Sequence, residues 1–363
     1  MKKLSVRTAT KEYPVITGSG ALKEIVPLLL NMKPAVTSLM VISDDNVAPL
    51  YLSDVTAELS KTALPVYDHI VPHGDQEKSF QNYFSCQTAA LEFGLDRHSV
   101  IIALGGGMVG DLAGFVAGTY MRGIRFIQVP TTLLAHDSSV GGKTGINHHL
   151  GKNMIGVFHH PEAVIYDAEY LKTLPQHEIR SGFAEVIKHA IIKDRSFYRY
   201  LHENVRSLDD LGYGTRLEEA ITKGIQIKAE IVQEDERENG VRALLNFGHT
   251  LGHAIEAELG YGKWTHGDAV AAGMLFALRI GASVYGTSLI EDSEINEWLQ
   301  ELGYPQLPAS LSPEKLLSRM KKDKKAHSGT VKMVLLPEIG KAEVREVPDP
   351  LLIEELHKFL AAK

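Results

Sequence analysis

The feature that most restricts this chain is a set of short, almost wholly apolar segments that alternate with helical stretches over the first 165 residues and then stop. Ser38–Ser43, Ser99–Leu104, Arg125–Pro130 and Ala163–Tyr166 are the four clearest. A strand exposed on one face alternates apolar and polar residues. A continuous apolar run between turn residues fits a strand covered on both faces, and such strands build parallel sheets flanked by helices. After about Asp167 the strand signals nearly vanish and long helical patterns follow, the last from Glu314 to Lys322. A short extended piece, Thr330 to Leu336, and a terminal helix close the chain. The reading is an α/β domain over residues 1–168 and a mainly α-helical domain over 169–363. No Pro-, Gly- or Ser-rich linker divides them, so they are expected to pack closely.

The 363 residues carry a formal net charge of −7, with 44% apolar and 23% charged residues. These are the proportions of an ordinary globular protein, and the charge argues against a nucleic-acid partner. The one dense basic run, Lys321-Lys322-Asp323-Lys324-Lys325, reads on composition as a solvated helix end. A single cysteine, Cys86, permits no internal disulfide. The first residues lack the apolar stretch of a signal peptide, and the apolar stretch Ala269–Val284 is short and interrupted by Arg279. A cytoplasmic protein with no membrane span is expected.

Gly105-Gly106-Gly107-Met108-Val109-Gly110-Asp111 follows a predicted strand and opens a helix. Such a turn lets backbone approach a phosphate at a helix N-terminus, although a tight turn alone would also explain it. The usual dinucleotide fingerprint places an acid about 20 residues later. That place holds Pro130-Thr131-Thr132, and the better ribose candidate is Asp44, which as a lone residue would read as a helix cap or turn residue. The expectation is a Rossmann-like sheet with atypical wiring.

The helical half carries a polar stripe. At about 100° per residue, Arg242, Asn246, His249, His253 and Glu256 fall on one side of a single predicted helix. Glu185, Lys188 and His189 share the polar side of a helix near Phe183–Ile192, and Trp264-Thr265-His266-Gly267-Asp268 precedes an Ala/Val-rich helix. Glu, His and His from three elements would make a His₂Glu metal site with an open position. His249 and His253, at i and i+4, are an alternative metal pair, but the Glu of H-E-x-x-H is absent. Asp137, Lys143, Lys152 and Asn153 lie near glycine turns. With Lys188, Lys228 and Arg242 the lysines imply a cationic pocket for a polyanion.

Seven motifs together resemble the 3-dehydroquinate synthase family: Gly105–Asp111, Pro130–Leu134, Asp137–Lys143, Gly151–Gly156, Gly182–Lys188, Asn246–His253 and His266–Asp268. The resemblance runs from Asp44 to Lys325. It implies a phosphorus–oxygen lyase of the shikimate pathway that turns 3-deoxy-D-arabino-heptulosonate 7-phosphate into 3-dehydroquinate and phosphate. By resemblance Glu185, His249 and His266 bind zinc, with cobalt an alternative. His253, Lys143, Asn153, Asn246 and Lys324, with Lys325 the alternative to Lys324, contact the substrate phosphate, and Arg122 completes that site from the other subunit of a homodimer. Lys228 and Arg242 hold the carboxylate, while Asp137, Lys152 and Lys188 surround the reacting hydroxyls. The NAD positions are Asp44, Asp75, Lys78, Gly106, Gly107, Met108, Asp111, Thr131, Thr132, Lys143, Lys152, Tyr170, Thr173, Leu174 and Glu178. Two segments depart from the family pattern. Gly74-Asp75-Gln76-Glu77-Lys78 stands for Gly-Glu-x-x-Lys, leaving Asp75 and Glu77 as alternatives, and Ala135-His136-Asp137 is one residue shorter than usual.

The implied chemistry oxidises the C5 hydroxyl with NAD, eliminates phosphate, reduces the ketone again, opens the ring and closes it by an aldol step. NAD is regenerated in each turnover, and the substrate phosphate itself takes the proton. The substrate is expected between the domains, closing on binding. Three rival readings remain. A sister cyclase acting on a sugar phosphate without a carboxylate would leave Lys228 and Arg242 without a partner. A metal-dependent polyol dehydrogenase would release NADH. A sugar-phosphate-binding regulator would not need an open metal position.

Overall fold

The computed structural model describes residues 1–260, 262–286, 291–308, 310–322 and 330–361. The chain forms two compact units, Met1–Pro175 with Tyr213–Glu236, and Gln176–Gly212 with Arg237–Lys363. The units are not consecutive in sequence, because the helix Thr215–Glu234 returns to the first.

The first unit is built on strands β1 (Lys2–Arg7), β2 (Glu12–Gly18), β3 (Leu39–Asp44), β4 (Val66–Val71), β5 (Val100–Gly105), β6 (Arg125–Pro130), β7 (Lys143–His148), β8 (Gly151–Phe158) and β9 (Ala163–Asp167). Seven make one sheet in the order β1-β2-β9-β6-β5-β3-β4, parallel except for the β1–β2 pair, and β7–β8 form a separate antiparallel ribbon. The four predicted strands are β3, β5, β6 and β9, displaced by at most a residue or two. All six residues of β3 and of β5 are buried. Met40, Ile42, Ile101 and Ala103 face one core with the helices Phe80–Glu92 and Gly107–Thr119. Their neighbours Leu39, Val41, Val100 and Ile102 face a second core on the other side. Both faces of the sheet are covered, which is why alternation is absent from the sequence.

The second unit is mainly helical, with one antiparallel pair among the described residues, β10 (Val331–Glu338) and β11 (Lys341–Val347). The extended piece predicted at Thr330–Leu336 is β10. Its partner β11, with the sequence KAEVREV and one fully buried residue, carries no apolar run to mark it as a strand. The helix His266–Tyr285 is long and apolar enough to cross a membrane by length and composition. It is a core helix, with Ala269, Val270, Met274, Phe276, Ala277 and Ile280 inaccessible.

A pH-sensitive tie fixes the end of the returning segment within the first unit. Glu236 Oε1 accepts from Thr10 Oγ1 at 2.6 Å and faces His160 Nε2 at 3.0 Å. Burial pushes the Glu236 carboxyl up, but Thr10 and His160 outweigh it and bring it down to about 2. A lowered carboxyl stabilises the fold above its unfolded value of 4.5, and the stability is lost as pH falls toward 2. Glu236→Gln is therefore expected to cost at most roughly 3 kcal/mol at pH 7. The gap to wild type should narrow in urea unfolding at pH 3; a gap independent of pH would contradict this.

Candidate metal centre and nucleotide loops

In the first unit the chain leaves β3 for β4 on one side and returns to β5 on the other. Open α/β sheets bind nucleotides at such a reversal, beyond the carboxyl ends of the strands. Asp44 ends β3 there and is buried. Its Oδ1 accepts from the backbone N–H groups of Asn46 and Val47, both at 2.9 Å, and burial raises its carboxyl above the ordinary range. The turn role open to a lone Asp44 is thus present, while the helix Ala48–Ser60 that follows takes no side-chain cap at Val47. Beside it, Gly106 and Gly107 open the helix that follows β5. A Cβ on Gly106 would come within 2.8 Å of Thr132 Cγ2, so the turn packs against the Thr131-Thr132 segment only because that position is glycine. Thr131 N–H donates to Gly105 O at 3.0 Å and joins the two loops.

Asp75, Lys78, Asp111 and Lys152 form one charge network. Lys78 Nζ, almost fully buried, lies 2.9 Å from Asp111 Oδ2 and 3.6 Å from Asp75 Oδ1, and Lys152 Nζ is 3.0 Å from Asp75 Oδ2. Burial pulls Lys78 down, but Asp111 and Asp75 raise it above its ordinary value. Glu77 instead accepts from Asn82 Nδ2 at 2.9 Å. Of the two alternatives, Asp75 rather than Glu77 joins this network. Tyr170 and Thr173 both lie against Tyr51, whose hydroxyl donates to Tyr170 O at 3.0 Å and contacts Thr173 Oγ1. Met108 packs against the core beside Val109, Leu174 is half-buried just after Thr173, and Lys143 is exposed at the start of β7. Asn153 adopts φ 54° in β8 and donates its N–H to Asn147 Oδ1 at 3.0 Å. Lys228 pairs with Asp137 Oδ2 at 2.9 Å and with the Asp137 carbonyl. Arg122 sits in a strained turn, with positive φ at Met121, Arg122 and Gly123. It lines a cavity of about 650 Å³ with Arg97, Arg125 and His159.

In the second unit three helices bring the predicted metal ligands together. Glu185 lies on Gln176–Lys193, and His249 and His266 are the first residues of His249–Leu259 and His266–Tyr285. The expected single helix over 242–256 is corrected here. Val241–Asn246 is a 3₁₀ segment, and the chain breaks at Gly248, whose φ is +81°. A Cβ at Gly248 would press within 2.7 Å of Val270 O. The break makes His249 a helix start, and His253 and Glu256 follow it four and seven residues later on the same helix.

Close approach of the helices depends on two further glycines. A Cβ on Gly267 would fall 2.0 Å from Ser181 O, and one on Gly273 would fall 1.9 Å from Gly248 O. Arg180 clamps the start of the third helix by donating to both carboxylate oxygens of Asp268, at 2.7 and 3.1 Å.

The donor atoms then converge. His266 Nε2 is 3.2 Å and His249 Nε2 3.5 Å from Glu185 Oε1. One ligand atom from each of the three residues lies within 4.8 Å of the others. His249 Nδ1 donates to Phe247 O at 3.2 Å, since a carbonyl can only accept, which leaves Nε2 for the metal. One carboxylate and two imidazoles suit a divalent ion such as zinc or cobalt. Burial pushes His249 well below its ordinary value. Burial also pulls His266 down, but Glu256 and Glu185 overcome it and raise it to about 10. Lys188 is buried with its ammonium on Glu185 Oε2. Arg242 is buried, and Asn246 Nδ2 donates to Glu238 Oε1 at 2.9 Å. The His253 ring lies 5.3 Å from that of His249. Glu178 is half-buried, and burial raises its carboxyl. Lys324 and its alternative Lys325 lie outside the described residues. The sequence places Glu256 on the polar stripe without giving it a role.

The pattern of the 3-dehydroquinate synthase N-terminal family matches residues 68–181, and that of the C-terminal family matches 182–326. The chain belongs to the 3-dehydroquinate synthase family. It is 58% identical over 361 residues to the 3-dehydroquinate synthase of Geobacillus thermodenitrificans (strain NG80-2), covering 99% of this chain and 98% of the relative. Its activity is the one the family name states. Among solved structures, a 2-deoxy-scyllo-inosose synthase complexed with carbaglucose-6-phosphate, NAD⁺ and Co²⁺ superposes with a TM-score of 0.89. The identity is 26%, over 98% of this chain and 100% of that one. The 2-epi-5-epi-valiolone synthase of Streptomyces hygroscopicus subsp. jinggangensis 5008, solved with NAD⁺ and Zn²⁺, shares the fold. Its TM-score is 0.85 at 24% identity, over 99% of this chain and 98% of that one.

Proposed function

We propose that the chain converts 3-deoxy-D-arabino-heptulosonate 7-phosphate into 3-dehydroquinate and phosphate, using catalytic NAD and one zinc ion held by Glu185, His249 and His266. The convergence of those three donors, in a chain so similar to a 3-dehydroquinate synthase, carries the reading. When bound, NAD supplies a reversible hydride acceptor, and the divalent ion polarises the oxygen atoms it touches. Most of the cofactor role falls to residues 1–168, and the metal and most substrate roles to 169–363.

In the first unit, Asp137 holds the Lys228 ammonium in place for the substrate carboxylate. Lys143 and Asn153 are assigned to the phosphate, and Lys152 to a reacting hydroxyl. In the second unit, Arg242 is assigned to the carboxylate, Asn246 and His253 to the phosphate, and Lys188 to a hydroxyl. Cationic groups of this kind stabilise an enolate and a leaving phosphate. Positioning and charge then supply most of the catalysis. The reading includes a cytoplasmic homodimer in which Arg122 reaches the phosphate across the interface.

The test is an assay with zinc-loaded protein, the heptulosonate phosphate and substoichiometric NAD. Many turnovers per NAD, with phosphate and dehydroquinate formed in equal amounts, are expected. Turnover of glucose 6-phosphate instead would move the chain to a sister cyclase.

A further inference from the structure

Glu256 is a buried carboxylate on the helix His249–Leu259, and its Oε2 lies 3.3 Å from His266 Nδ1. A carboxylate beside an imidazole accepts its N–H. The opposite nitrogen of the same ring, Nε2, faces Glu185 Oε1. We infer that Glu256 is a positioning residue that fixes the tautomer and orientation of His266 and strengthens it as a metal ligand. This rests on the metal triad proposed above.

The geometry distinguishes this role from ligation. The two nitrogens of one imidazole point away from each other, so a single ion cannot take Nε2 of His266 and also lie between Nδ1 and Glu256. The two histidines are also supported unequally. His249 is oriented by a neutral carbonyl, that of Phe247, whereas His266 is oriented by a carboxylate. An anion behind the ring makes its far nitrogen a stronger donor, and such outer partners are commonly worth about 10- to 100-fold in metal affinity. His253, Glu256 and His266 also offer donor atoms within 4.8 Å of one another, so a second ion at these residues is the competing arrangement.

The test compares wild type, Glu256→Gln and Glu256→Ala in zinc affinity by chelator competition, in zinc stoichiometry, and in the visible spectrum of the cobalt-loaded proteins. One zinc per chain is expected throughout. Affinity should fall about 10- to 100-fold in Glu256→Ala. It should fall less in Glu256→Gln, whose amide oxygen still accepts from Nδ1, and the cobalt bands should shift in both. If the alanine variant does not fold, the near-isosteric glutamine variant carries the comparison. Unchanged affinity and spectrum in a folded variant would overturn the inference. Two zinc ions in wild type, one of them lost on substitution, would also overturn it by making Glu256 a ligand. Failure of Glu185→Ala to lose zinc would sink the triad itself, and so separates the two readings.

Discussion

Glu185→Gln is expected to lose its zinc and to cut turnover roughly a thousandfold, about 4 kcal/mol in the barrier. Glu185 is the anionic member of the three donors, and its two oxygens serve different partners. Oε1 faces both imidazole Nε2 atoms, and Oε2 carries the ammonium of buried Lys188. The amide therefore weakens the metal site and also removes the negative charge beside a buried cation. Breaking a buried pair costs about 3–5 kcal/mol, so the melting temperature should fall as well. Glu185→Asp separates these effects. It keeps the charge near Lys188 but withdraws the oxygen by one methylene, so stability should largely return while zinc affinity stays low. Metal analysis, thermal melts and turnover on the three proteins make the comparison. Full activity in a zinc-free Glu185→Gln protein would remove this triad from the reaction.

How much of the fold and site is legible in the sequence depends on where each residue lies. Strands β3, β5, β6 and β9 are readable because they are buried on both faces. Strand β1, KKLSVR, has one fully buried residue, and β4, VYDHIV, is an edge strand with a single buried position. Neither leaves an apolar run. The Arg242–Glu256 stripe carries the right residues but predicts the wrong scaffold. A 3₁₀ segment and an α-helix separated by Gly248 replace the single helix, and only the close approach to Val270 O reveals why it must break. His249 and Glu185 are visible as residue types on polar faces. Glu256 lies on the same stripe, but its role needs His266, which comes from another helix. The pairing of Glu236 with His160 spans 76 residues and leaves no local pattern.

Lys78→Met should destabilise the first unit by about 3–5 kcal/mol, because it leaves the Asp111 carboxylate without its closest cation. Asp75 suffers less, since Lys152 remains 3.0 Å from it. The double variant Lys78→Met/Asp111→Leu removes both charges and fills the space with apolar atoms, so most of the stability should return. Cofactor binding should not return with it. Lys78 ties the loop Gly74–Lys78 to the helix Gly107–Thr119, and both elements carry residues assigned to NAD. Urea unfolding and NAD titration by calorimetry, done on the same three proteins, read the two effects separately. A stable single variant would mean that the ion pair contributes little to the fold. A double variant that binds NAD like wild type would take Lys78 and Asp111 out of the cofactor site, leaving the pair a purely structural clamp.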